Sequence, residues 1–162
     1  MRRREVIPLV LVGLAMATAT DVRANAPADQ YDLFMANDDT IVDVKTRLRW
    51  MRFVDRELKL NQALAIQHCA ELTDSGKSWR LPSYKELLTL VDDFPHAEYE
   101  NGGVVSKAID GAAFPGTPPG QFWSSTTPAQ PSTEGYYVDF GTGAAGRIGV
   151  DQGLLVRCVQ DK

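Results

Sequence analysis

The run Gly141-Thr142-Gly143-Ala144-Ala145-Gly146 has the glycine spacing of a dinucleotide-binding turn and follows a strand-like stretch. That chemistry needs a helix that starts there and aims its amides at a pyrophosphate. Arg147-Ile148-Gly149-Val150 comes next and reads as strand, and the chain beyond it is too short for the second half of such a unit. The run is therefore read as a glycine-rich turn. His68 and His96 stand at no metal-ligand spacing, and no P-loop, nucleophile elbow, zincin helix or complete EF-hand loop is present. Asp92-Asp93 supplies two carboxylates, but neighbours at a helix end point apart and cannot flank a glycosidic bond. Trp50, Trp79 and Trp123 would stack on sugars if exposed; their place inside strand and turn patterns assigns them to the core. Arg80 reads as a structural donor for the same reason. The polar runs Ser124-Ser125-Thr126-Thr127 and Glu98-Tyr99-Glu100-Asn101 fall where loops are expected, and loops carry binding. Glu98, Tyr99, Asn101, Ser125, Thr126 and the nearby Tyr136 are thus the candidate ligand contacts. No catalytic residue is assigned, and no metal ligand is identified.

These residues need elements to hold them. Tyr31 to Met35, Thr40 to Val44 and Leu48 to Phe53 read as short strands, separated by Asn37-Asp38-Asp39 and Lys45-Thr46-Arg47 as hairpin connections. A first helix runs from a cap at Asn61 to about Leu72, burying Ala65, Ile66, Cys69 and Leu72, and Gly76 ends the unit. A second begins after Pro82: Ser83 and Glu86 make a capping box, and Tyr84, Leu87, Leu88 and Val91 follow the helical repeat until Asp92-Asp93 and Pro95 end it. Residues 95–121 are rich in Gly and Pro, show little periodicity and read as one long surface loop. Phe122 to Ser125, Tyr136 to Phe140 and Leu154 to Gln160 read as strands, with a glycine-rich hairpin between the last two.

The start of the chain reads as an export signal. Arg2, Arg3 and Arg4 precede an apolar stretch from Val6 to Ala17, and small residues follow. The stretch is shorter than the roughly 20 residues that span a bilayer. The division is a signal over residues 1–24, a leader over 25–30 and one domain over 31–162, with no membrane span after cleavage and a secreted or periplasmic destination. The formal charge of the whole chain is −4. Residues 1–24 carry Arg2, Arg3, Arg4 and Arg23 against Glu5 and Asp21, so removing their +2 leaves −6. That acidity, with no Lys/Arg cluster, argues against nucleic acid as a partner. In an exported chain the only two cysteines, Cys69 and Cys158, most economically form one disulfide. A closed loop of about 90 residues corresponds to roughly 4.6 kcal/mol in the chain-entropy model. The alternatives are two buried thiols or one reactive nucleophile.

The set Asp43…Thr46-Arg47-Leu48-Arg49-Trp50-Met51, Cys69…Trp79-Arg80-Leu81-Pro82…Glu86-Leu87, Ile109-Asp110…Phe114-Pro115…Phe122-Trp123-Ser124-Ser125, Tyr137-Val138-Asp139-Phe140 and Val156-Arg157-Cys158-Val159 resembles the Lcl C-terminal domain family over about residues 31–160. The family is named after the end domain of a bacterial collagen-like adhesin. The resemblance implies an α+β, C-type-lectin-like fold, with two helices flanking a small twisted antiparallel sheet and a long loop region. It implies a bridge from the first helix to the last strand, which suits Cys69 and Cys158, and it places binding in residues 95–121. The function implied is that of an exported, non-catalytic, adhesin-like binding module for a glycan or another cell-surface ligand. Sulfated glycans fit the acidic chain poorly. No cofactor is expected; calcium stays open, although the acidic and Asn-rich tripeptides of calcium-dependent lectins are not evident and Gln130-Pro131-Ser132 is only an echo of them. The alternatives are an enzyme like the formylglycine-generating oxidases, which share a similar Trp-Arg-Leu-Pro turn but need free thiols, and a structural envelope subunit.

Overall fold

The structure is a computed structural model that describes residues 29–33, 39–74, 77–93, 95–100, 102–129 and 133–161. The export signal, most of the leader, Asn101, Gly76 and Gln130-Pro131-Ser132 lie outside them. Among the described residues no helix is long and apolar enough to cross a membrane.

The elements run β1 (Tyr31–Asp32), β2 (Thr40–Asp43), β3 (Leu48–Met51), α1 (Gln62–Glu71), β4 (Thr73–Asp74), β5 (Lys77–Ser78), α2 (Tyr84–Leu88), β6 (His96–Glu100), β7 (Gly103–Lys107), β8 (Gln121–Trp123), β9 (Glu134–Asp139), β10 (Ala145–Gly149) and β11 (Val159–Asp161). The strands sort into a four-stranded sheet β1-β2-β3-β11, a three-stranded sheet β10-β9-β8 and two separate hairpins, β4-β5 and β6-β7. All named strand pairs are antiparallel.

This corrects the expected C-type-lectin-like α+β arrangement. The protein is mostly β, built from small antiparallel sheets, and its two helices do not flank one central sheet. One reason is that neither helix buries a broad apolar face. On α1 only Ala65 and Cys69 are buried apolar residues; Ile66, expected inside, is exposed. The helix does start as its sequence directs, with the Asn61 side chain accepting from the Leu64 amide at 2.9 Å. On α2 the capping box forms, yet the helix ends after Leu88. Leu90 turns into the core in place of Leu88, which stays 37% exposed. A tertiary contact has overridden the helical repeat.

The second correction concerns residues 95–121. They are not a structureless loop: they form the β6-β7 hairpin and then a segment that buries Ala108, Ile109, Ala113 and Phe114. The third concerns Leu154 to Gln160, of which only the end is strand. The rest is extended and buried, and it joins the other parts through isolated bridges Leu60↔Leu154, Phe122↔Leu155 and Arg80↔Val159. Around it lie two apolar clusters. One centres on Ile41, Trp50, Leu87, Phe114, Phe122 and Phe140, the other on Trp79, Leu81, Trp123 and the Cys69–Cys158 disulfide. Ile41, Trp50 and Val159 are aligned across β2, β3 and β11 and are all fully buried. Each large apolar side chain so buried contributes about 2–3 kcal/mol.

Arg157 stands inside this core. It is 1% exposed, with its guanidinium 4.6 Å from the Phe114 ring centre. Nη1 donates to the Met51 and Arg52 carbonyls, and Nη2 donates to Thr117 Oγ1 at 2.6 Å. Burial pulls its pKa down to about 9, with Tyr31 acting in the opposite direction. The side chain thus pins the segment around Thr117 to the end of β3.

Candidate functional site

The sequence-derived candidates fall into two groups on different sheets. Ser125, Thr126 and Tyr136 lie where β8 and β9 meet α2. Thr126 Oγ1 accepts from the Tyr84 amide at 2.9 Å, and the Ser125 amide donates to the Pro82 carbonyl at 2.7 Å. The Tyr136 ring lies 4.9 Å from that of Tyr84. These contacts fasten the Trp79-to-Ser83 turn to the second sheet; the Ser125 side chain remains exposed. The turn itself is locked by Arg80, which donates to both Glu86 oxygens at 2.7–2.8 Å and to Asp161 at 2.7 Å. Trp50, Trp79 and Trp123 are all core residues.

Glu98 and Tyr99 lie on the β6-β7 hairpin, whose two faces differ in kind. The pairs Tyr99↔Val104 and Ala97↔Ser106 point outward, and Tyr99 and Val104 are 76% and 73% exposed. The inner face carries His96, Glu98, Glu100 and the almost completely buried Lys107. Lys107 Nζ meets Glu98 at 2.7 Å and also bonds Glu100, which accepts from Arg56 at 3.0 Å. His96 Nε2 lies 3.1 Å from Glu98. Burial works to raise the Glu98 pKa, but hydrogen bonds from Lys107 and His96 outweigh it and hold the group below the usual carboxylate range. For Glu100 the Lys107 hydrogen bond is the leading cause of the same downward shift, with Arg56 adding to it. A two-stranded hairpin is marginal on its own; this inner charge network is what secures the one that displays Tyr99.

Arg56 continues the network toward a cleft of about 430 Å³ by donating to the Gly116 carbonyl at 2.8 Å. Arg56, Lys59, Gln121 and Asp139 line this cleft above the buried Pro118 and Leu155. Gln121 and Asp139 are direct cross-strand partners, so their side chains emerge side by side on one face. One Asp139 oxygen accepts from the Gly141 amide at 2.7 Å. The glycine run 141–146 is the β9-β10 turn and the start of β10, with Gly143 at φ +75°, and no helix begins there. Among the described residues no three His, Cys, Asp or Glu side chains gather into a metal-holding group.

The resemblance pointed to residues 95–121, which supply Pro118, Pro119, Gly120 and Gln121; the rest of the lining was not a sequence candidate, because it comes from three other stretches of chain and forms no motif. The hairpin had a readable signal: Asn101-Gly102 between two runs is a strong two-residue turn marker, and Gly102 adopts φ +82°.

No curated protein and no solved structure matches the chain. The model of the Lcl C-terminal domain matches residues 39–160, which take in the three-stranded sheet, the four-stranded sheet apart from β1 and the last residue of β11, the disulfide, the hairpin and the cleft, and the chain belongs to that family.

Proposed function

We propose that the protein is an exported, non-catalytic binding module that attaches to a glycan or another ligand of a cell surface. The observation that carries this reading is Tyr99: a large aromatic side chain left 76% exposed opposite an exposed Val104, on a hairpin secured from behind by four charged groups. Tyr99 and its cross-strand partner Val104 form a contiguous exposed apolar pair, and tyrosine is a frequent anchor in contact surfaces because it gives much contact area for little lost freedom. A place outside the cytoplasm is supported by the signal-like start and by the disulfide. The oxidase-like alternative requires free thiols, whereas both cysteines lie in the bridge; a thiol titration of the denatured, unreduced protein should find none.

The test is a panel of glycans and cell-surface proteins, with and without calcium, probed with the purified chain and its Tyr99→Ala variant. The expected result is a ligand whose affinity falls about tenfold or more in the variant, as for a central aromatic anchor. Silence across a broad panel would reject the reading; affinity indifferent to Tyr99 would remove the hairpin as its contact surface.

A further inference from the structure

We propose that the cleft between Arg56, Lys59, Gln121 and Asp139 is a sugar subsite that takes an uncharged pyranose; this rests on the attachment reading above. Its volume of about 430 Å³ lies in the range of small-molecule sites, and it combines a buried apolar base with a few convergent polar groups, as such sites do. The polar groups match adjacent hydroxyls. Asp139 offers a carboxylate acceptor, while Gln121 beside it across the strand pair offers both an amide donor and an acceptor. Lys59, exposed at the cleft, adds a flexible donor. Pro119, exposed at the cleft, supplies an apolar surface for the C–H face of a ring.

The charge balance selects against an anionic sugar. The Arg56 guanidinium is already engaged by Glu100, at 3.0 Å to both oxygens, and by the Gly116 carbonyl. What remains is one cation, Lys59, against one anion, Asp139. A sulfate or carboxylate placed here would meet Asp139 at close range and gain no uncommitted arginine.

The experiment is an NMR titration of the isotope-labelled chain with neutral methyl hexosides, methyl N-acetylhexosaminides and their sulfated counterparts, repeated on Lys59→Ala and Asp139→Asn. Asn at 139 keeps an oxygen for the Gly141 amide; Lys59 is exposed, so its variant folds regardless. A neutral glycoside should shift the Gln121, Asp139 and Gly153 amides, bind more tightly than its sulfated form, and lose about three- to tenfold in each variant. Binding that maps to the hairpin or to Ser125 and Thr126, with both variants unaffected, overturns the cleft assignment and leaves the attachment reading standing. Tighter binding of the sulfated form, strengthened further by Asp139→Asn, overturns the neutral-sugar assignment. No response to any sugar, alongside a protein ligand found on the panel, removes the subsite but not the attachment.

Discussion

Glu86→Gln isolates the charge in the lock on the Trp79-to-Ser83 turn. In the native protein the Glu86 carboxylate receives Arg80 through two hydrogen bonds of 2.7–2.8 Å and the Ser83 amide at 2.7 Å. The Arg80 hydrogen bond is the largest cause that takes its pKa from 4.5 to about 2, with burial opposing. At 1.36 kcal/mol per unit that displacement has a ceiling of roughly 3 kcal/mol. Arg80 is 38% exposed and keeps Asp161 as a second partner, so solvent screening and compensation bring the expected loss to about 1–2 kcal/mol. Glutamine can still cap Ser83, so the loss is that of the charge. A carboxylate with a depressed folded pKa stabilises the native state fully once the unfolded chain's glutamate is ionised. The contribution is therefore whole above pH 4.5 and drains away as pH falls toward about 2. Urea unfolding of both proteins between pH 7 and pH 2 should show a midpoint gap that is widest at neutral pH, worth roughly 3–6 °C in melting temperature, and that closes in acid. A gap of constant size across that range would refute the ionic argument.

Arg157→Lys should cost about 3 kcal/mol, since an ammonium cannot replace the guanidinium fork between the Met51 and Arg52 carbonyls and Thr117 while lying on Phe114. A melting temperature within about 2 °C of the native protein would mean that this buried fork adds little. Replacing Cys69 and Cys158 together by Ala should remove about 2–4.6 kcal/mol, since the bridge closes a separation of 89 residues. An unchanged unfolding midpoint would show that the denatured chain is already constrained there.

Much of the local structure was legible in the sequence because its causes lie within a few residues. Asn61 caps α1, Ser83 and Glu86 close their box, Lys45-Thr46-Arg47 turns β2 into β3, and the glycines after Phe140 turn β9 into β10. What failed was inference across distance. The order of motifs marks the family, but it does not say which strands pair, and the lectin-like arrangement of helices around one sheet did not form. Residues 95–121 looked like a loop because their buried residues find partners elsewhere: Thr117 is met by Arg157 from 40 positions away, and Lys107 shares Glu100 with Arg56, 44 positions before that glutamate.

The sequence by itself carried the family's motifs, the caps and the turns, the last two set by short-range hydrogen bonding, and it favoured a bridge between its only two cysteines, which the structure forms. Only the tertiary structure decided that Leu90 rather than Leu88 enters the core, that a buried Lys107 braces the hairpin behind Tyr99, and that Arg56, Lys59, Gln121 and Asp139 share a cleft. Those outcomes depend on which distant segments compete for the same buried space, and no spacing along one chain records that competition.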